Sequence, residues 1–312
     1  MKILYSVKKL PHMNRPMATI GIFDGVHVGH QKLLRRLAEK AHRKKKKAIV
    51  ITFIPHPYRI LHPGKAPPML LSLSHRLKIL DRIGIDIALI LNFNKHLSCF
   101  SAEDFVKKIL VKGLNIEELF IGGNFALGHN RKGRLNLLKK LSLKYGFKLN
   151  IIKCRKVNRQ PISSTSIREL LMDGKLKKAS FGLGRKVSIL GTVTRGDKRG
   201  RILGFPTSNL DLHHEAVPPA GVYAVFVRLN KKLYKGILNI GFRPTFKKAQ
   251  REKTVEAYIF DFKKNIYGKD MEVVFVKKIR EERHFKHKDH LRGQIEKDAK
   301  QAKKILESVI TR

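Results

Sequence analysis

Acidic residues are scarce in this 312-residue chain: 24 aspartates and glutamates stand against 67 lysines and arginines, a formal charge of +43. Cysteine is rarer still. The two thiols, Cys99 and Cys154, are isolated from one another, which excludes a disulfide framework and suits a reducing compartment. No apolar run approaches the roughly 18 residues needed to cross a bilayer. Met1 to Leu10 has no signal-peptide apolar region, so the protein is expected in the cytoplasm with no membrane partner. There is no GxGxxG turn, which argues against an ordinary dinucleotide dehydrogenase, and no Walker A string. Zinc-finger, RNA-recognition and basic-zipper patterns are missing as well, and the lysines are spread along the chain instead of gathered on one element. A solvated, lysine-biased surface follows. No specific nucleic acid is expected, only nonspecific binding at low salt from the long-range field.

The length leaves room for two domains, each with its own core. The first half is organised around GIFDGVHVGH, Gly21 to His30. This stretch follows the apolar run Met17 to Ile22, expected as a buried strand. It precedes Gln31 to Ala41, where Leu33, Leu34, Leu37, Ala38 and Ala41 recur at helical spacing. Gly21, Gly25 and Gly29 free the backbone of the turn and admit close approach of a ligand. His27 and His30 are one helical turn apart, so both can face one side. A helix N-terminus favours anions through its free N–H groups and its dipole, and two imidazoles add donors that need not stay charged. The pattern points to a phosphate site. Zinc is disfavoured because no third ligand of suitable spacing stands nearby. On the residues alone, a glycine-rich turn with two solvent-facing histidines is the alternative.

Further apolar runs at Ala48 to Phe53, Ile85 to Leu91, Leu119 to Gly122 and Leu149 to Ile152 read as strands, with helical segments such as Ala102 to Val111 between them. Alternation of this kind predicts an α/β fold with a doubly wound parallel sheet. Ligands bind such sheets outside the carboxyl ends of the strands. Segments that follow strands are therefore expected to converge: the glycine turn, Ile54–Pro57 with His56, Gly123 to Gly133 and Ile162 to Leu171. His56 reads equally well as a ligand contact or as part of a rigid loop between prolines. In ISSTSIRELL, Ser166 with Glu169 fits a capping box. Arg168 does not fit that account, because a cation in the first turn opposes the helix dipole by roughly 0.3 to 1 kcal/mol.

Near Leu183 the texture changes to short alternating runs with Gly and Pro turns, as in a small antiparallel β-barrel. Its candidate strands are Lys186 to Thr194, Gly221 to Leu229, Lys232 to Asn239, Thr254 to Phe262 and Met271 to Ile279. An amphipathic C-terminal helix with Leu291, Ile295, Ala299, Ala302 and Leu306 on one face closes the chain. Gly191 to Leu210 reads as a hairpin and loop, where Thr207 and Asn209 could bind phosphate and Mg²⁺ through a few oxygen ligands. Alternation in VEAYIFDF puts Glu256, Tyr258 and Phe260 opposite the aliphatic row Val255, Ala257 and Ile259. Taken alone, Glu256 is equally an ordinary exposed strand residue.

These strings also carry a resemblance. GIFDGVHVGH is similar to the GxFDGVHxGH element of the bacterial FAD synthetases, a branch of the HxGH nucleotidyltransferases. NFNKHLSCFSAEDFV, GNFALG and ISSTSIR follow in the order of that family. GRILGFPTSN, GVYAV, NIGFRPTF, VEAYIFDF and REERHF resemble the riboflavin kinases, with Ser208 in place of the usual Ala and Tyr258 in place of the usual His. The resemblance implies a bifunctional riboflavin kinase and FAD synthetase, with an FMN adenylyltransferase domain over 1–182 and a riboflavin kinase domain over 183–312. It implies ATP binding by Gly21, Phe23, Asp24, His27, His30, Asn124, Ser164, Thr165 and Arg168 in the first domain. In the second it implies ATP binding by Gly196, Gly200, Gly204, Thr207 and Asn209, with Mg²⁺ held by Thr207 and Asn209. His27, His30 and Arg168 inherit the stabilising roles in adenylyl transfer, and Glu256 that of the kinase base. Riboflavin, FMN and ATP are the expected substrates, FMN and FAD the products, and the chain a monomer or weak homo-oligomer. The rival readings are a protein with only one working half, and a basic nucleic-acid-binding protein on a dead enzyme fold.

Overall fold

The computed structural model describes residues 1–9, 13–153, 156–157, 160–195, 204–213, 215–230, 232–243, 252–283, 285 and 287–310. The chain divides into two compact units, Met1–Pro68 with Arg76–Ser163, and Met69–His75 with Ser164–Arg312.

The first unit is built on six strands: β1 (Lys2–Leu4), β2 (Met17–Ile20), β3 (Ala48–Ile54), β4 (Ile87–Asn92), β5 (Glu118–Gly122) and β6 (Lys148–Ile152), in the order β1-β4-β3-β2-β5-β6. Every pairing is parallel. The expected doubly wound sheet is therefore present, and the strand order reverses between β2 and β5. β3 shows why the pattern was readable: Ala48, Ile49, Val50 and Ile51 are all fully buried, as a strand covered on both faces must be. Around the sheet lie α1 (Val28–Arg43), α2 (Pro57–Leu61), α3 (Leu73–Ile83), α4 (Lys95–Ser98), α5 (Ala102–Phe105) and α6 (Leu135–Lys144). α1 buries Leu33, Leu34, Leu37, Ala38 and Ala41, the residues picked out by their spacing. Two details differ from expectation. The helix foreseen over Ala102 to Val111 is α5 followed by a π-helical turn, Val106–Val111. β1, with Leu4 its sole buried residue, is too short to show a period and was not foreseen.

After Met69–His75, the second unit continues with α7 (Ser164–Met172) and α8 (Leu176–Leu183). A two-stranded hairpin, β7 (Lys156–Val157) and β8 (Gln160–Pro161), precedes α7 where direct entry from the last sheet strand was expected. Because α7 starts at Ser164, Ser166 lies inside the first turn and cannot head a capping box. Arg168 is then in the second turn, where the dipole penalty has faded, so that argument for a ligand at Arg168 falls away.

The expected barrel follows: β9 (Ser188–Thr194), β10 (Thr207–Asp211), β11 (Gly221–Leu229), β12 (Lys232–Arg243), β13 (Glu252–Ile259) and β14 (Asp270–Arg280), closed in the order β10-β13-β12-β11-β14-β9. β10 replaces part of the foreseen loop. Its sequence TSNLD has turn composition, and it is a strand because it closes the barrel between β13 and β9. The C-terminal helix α9 (Lys288–Ile310) covers one outer face: Ala302 and Leu306, fully buried, pack with Ile295 and Ala299 on Val222, Ala224, Phe226, Ile237 and Phe260. Arg280 at the end of β14 pins α9 through a fork of bonds to the Asp298 carboxylate, Nε at 2.9 and 3.1 Å and Nη2 at 2.8 Å.

Candidate active sites

The glycine turn leaves the carboxyl end of β2 on a strained path. Phe23 (φ 54°) and Val26 (φ 39°) both occupy the left-handed region, with Gly25 (φ 79°) between them. For a β-branched residue this is an outlier, costing on the order of 1–3 kcal/mol. Local bonds hold the path. Gly21 N–H donates to the Ile51 carbonyl at 3.0 Å and Val26 N–H to that of Phe23 at 3.1 Å. Gln31 Nε2 donates to the Val26 carbonyl at 2.8 Å. A Cβ at position 21 would lie 2.9 Å from the Phe23 ring, so the ring's seat requires glycine.

His27 is the N-cap of α1, its Nδ1 accepting from the His30 N–H at 3.4 Å, so the proton of a neutral His27 sits on Nε2. The two imidazoles stack, with centroids 3.7 Å apart and 19° between planes, and the Phe23 ring meets His30 edge-on at 5.2 Å. Burial, then the charges of His27 and Arg76, hold His30 well below its ordinary 6.5. His30 is therefore neutral at physiological pH, and its buried Nδ1 has no hydrogen-bond partner. Two stacked imidazoles at a helix N-terminus can offer donors to an anion without imidazolium charge.

Arg76 of α3, 3% exposed, donates from Nη1 to the Ile22 carbonyl, which Thr52 Oγ1 also reaches at 3.5 Å. Burial pushes the guanidinium down to about 10, partly offset by the Asp24 carboxylate, itself 4% exposed. The segment after β5 borders a 550 Å³ cavity lined by Gly123, Asn124, Phe125, Asn130, Arg131 and Arg134. A second cavity, of 350 Å³, has walls of Phe53, Phe93, Phe100 and Phe105 and shares Asn130 and Arg131 with the first. β2, β3 and β5 are parallel neighbours, so the segments leaving their carboxyl ends lie along one edge of the sheet. His56, on the loop after β3, caps α2 by accepting from Tyr58 N–H at 3.0 Å.

In the barrel, strand register does the assembling. Asn209 of β10 lies opposite Glu256 of β13, which lies opposite Asn239 of β12, and Thr207 lies opposite Tyr258. Cross-strand partners share a face, so Thr207, Asn209, Asn239, Glu256 and Tyr258 are grouped there, while Val255, Ala257 and Ile259 are buried on the other. Tyr258 is fixed by edge-on rings, Phe205 at 5.4 Å and Phe260 at 5.6 Å, and its hydroxyl is pushed upward by burial and Asp261. Among the described residues no group of three or more His, Cys, Asp or Glu side chains is placed to hold a metal. Thr207 and Asn209 offer two neutral hard oxygens beside one carboxylate. That set fits Mg²⁺ shared with nucleotide phosphates and keeping several waters, not an all-protein cage.

The FAD synthetase family model matches residues 10–166 and the riboflavin kinase model residues 183–306. A bifunctional riboflavin kinase/FMN adenylyltransferase of Buchnera aphidicola (subsp. Acyrthosiphon pisum) is 39% identical over 302 residues, covering 96% of this chain and 96% of that protein. This chain belongs to the bifunctional riboflavin kinase/FMN adenylyltransferase family. The Escherichia coli K12 member is 37% identical over 289 residues, 92% of each chain. A crystal structure from Streptococcus pneumoniae, described as a macrolide-efflux protein, has TM-score 0.80 and 29% identity over 95% of this chain and 96% of its own. No described helix of the present family member is long and apolar enough to cross a membrane.

In this riboflavin kinase/FMN adenylyltransferase family member, Gly21, Phe23, Asp24, His27 and His30 form one turn, and Asn124 follows the neighbouring strand β5. Ser164, Thr165 and Arg168 stand on α7 in the second unit. Gly204 lies three residues before β10, while Gly196 and Gly200 lie outside the described residues. Sequence reasoning missed the capping role of His27 and the whole of Arg76. A signal for Arg76 existed: it shares a helical face with Leu73, Ile79 and Leu80, and a cation on an apolar stripe calls for a partner.

Proposed function

We propose that this chain makes both flavin cofactors in succession. A kinase domain over 183–312 transfers the γ-phosphoryl of ATP to riboflavin, giving FMN and ADP. An adenylyltransferase domain over 1–182 transfers AMP from a second ATP to FMN, giving FAD and pyrophosphate. The observation that carries the reading is the pairing of the two family models in consecutive halves with two sites of different construction: a stacked histidine turn at the switch point of a parallel sheet, and a carboxylate flanked by asparagines on a closed barrel.

In the barrel, Glu256 accepts the proton of the riboflavin 5′-hydroxyl as its oxygen bonds to the γ-phosphorus and the bond to ADP breaks. Thr207 and Asn209, with Gly196, Gly200 and Gly204, hold the nucleotide together with Mg²⁺. The ion's contribution is to neutralise charge on the phosphates, and one base with one metal meets the demands of phosphoryl transfer, which is mostly positioning. In the first domain an FMN phosphate oxygen, already anionic at neutral pH, attacks the α-phosphorus, so no base is required. His27 and His30 donate to charge developing toward pyrophosphate, and Gly21, Phe23, Asp24 and Asn124 of the same unit complete the nucleotide contacts there. The cavity walled by Phe53, Phe93, Phe100 and Phe105 suits the flat flavin ring.

Purified protein incubated with riboflavin, ATP and Mg²⁺ should yield FMN first and then FAD on chromatographic separation. The His30→Ala variant should stop at FMN, and undiminished FAD formation by it would refute the first-domain assignment.

A further inference from the structure

We propose that Arg76 is a positioning residue for adenylyl transfer, clamping the Ile22–Asp24 segment so that the stacked His27–His30 pair is presented to the nucleotide phosphates. The inference rests on the adenylyltransferase reading of this site.

Burying a guanidinium to 3% exposure costs several kcal/mol unless its surroundings compensate, and α3 could have buried another aliphatic residue at this point of its stripe. What the cation touches explains its presence. β2 ends at Ile20, so the Ile22 carbonyl has left the sheet ladder and needs another donor; Arg76 Nη1 supplies it, with Thr52 Oγ1 at 3.5 Å. Asp24, the opposing charge that acts on Arg76, lies two residues further on, at the start of the 3-10 turn. The guanidinium thus engages the chain on both sides of Phe23, the left-handed residue (φ 54°) whose ring abuts His30. Fixing the kink fixes the ring, and the ring supports the imidazole.

Two further observations connect the clamp to the ligand. Arg76 Nε is buried without a hydrogen-bond partner, so the turn does not exhaust the fork. After burial, the charges of His27 and Arg76 both act to lower His30. Burial contributes most to keeping His30 neutral, and Arg76 adds to it. A neutral imidazole held in register donates to phosphate over the whole physiological range.

Arg76→Gln and Arg76→Lys, made in the full chain, test this. In Arg76→Gln, kcat for FMN to FAD should fall by about 10- to 100-fold, the loss of one preorganised electrostatic contact. The His30 titration, followed by NMR, should move up toward 6.5. Arg76→Lys keeps the charge but not the planar fork, so His30 should stay low while kcat falls by about tenfold. Far-UV circular dichroism and a parent-like urea transition report that each variant is folded. Unchanged kcat in both variants overturns the proposal. So does a lowered kcat in Arg76→Gln with the His30 titration unmoved, which would leave Arg76 merely structural. If Arg76→Gln does not fold, full FAD turnover by Arg76→Lys overturns the clamp. If the parent protein makes no FAD from FMN, the adenylyltransferase reading fails, while the His30 titration still decides whether Arg76 acts on that ring.

Discussion

Replacing Glu256 by Gln removes the carboxylate proposed to take the riboflavin proton and changes almost nothing else. The side chain is half-buried in a lateral row between Asn209 and Asn239. Among the described residues it makes no ion pair, so no opposite charge is stranded by the change. Gln has the same shape, and the flanking carboxamides can accept from its amide group. The cost to folding should therefore stay within about 1 kcal/mol. The kinetic cost is that of a lost general base, 10²- to 10⁴-fold in kcat, or about 2.7–5.4 kcal/mol of activation free energy. KM for ATP should hold, because Thr207 and Asn209 remain. The assay is the initial rate of FMN formation from riboflavin, ATP and Mg²⁺, run beside the rate of FAD formation from added FMN. A kinase rate within about fivefold of the parent would remove Glu256 as the base. Parallel loss of FAD formation from FMN would refute the separation of the two sites.

Two predictions concern the buried polar cluster of the second unit. Glu215, 6% exposed, accepts from Ser72 N–H at 2.7 Å and Leu190 N–H at 3.0 Å and pairs with His75 Nδ1 at 3.2 Å. Glu215→Ala strands two backbone donors and the imidazole, so urea unfolding should show a loss of about 3–5 kcal/mol; a loss under about 1 kcal/mol would contradict this account. Burial alone would push His75 down, but hydrogen bonds to Glu215 and Glu272 outweigh it and hold its pKa above 6.5; Ser188 and Arg228, the latter paired with Glu272, complete the surroundings. A raised folded-state value means that this stabilisation is complete below pH 6.5 and lost as pH rises through the folded value. The urea midpoint should fall with rising pH above neutrality in the parent and less so in His75→Gln, and equal slopes would remove His75 as the cause.

Much of the architecture was legible because burial imposes a period. The row Leu33, Leu34, Leu37, Ala38, Ala41 marked α1, and the run Ala48 to Phe53 marked a strand covered on both faces. The histidine turn was legible because glycines and a helix start are local signals. β10 escaped because TSNLD is a strand only by virtue of neighbours remote in sequence. The contacts of Arg76 escaped because its partners, Ile22 and Asp24, lie more than fifty positions away.

The residue pattern alone determined which segments are buried, that a parallel sheet precedes a barrel, and where glycine-rich turns follow strands, since each of these depends on interactions within a few residues. Only the tertiary structure decided that Asn209, Glu256 and Asn239 form one row, that His27 caps its own helix while stacking on His30, and that a cation from α3 holds the turn. Register and burial of charge depend on hydrogen bonds and electrostatics between distant parts of the chain, and periodicity says which face a residue takes without saying what it will meet there.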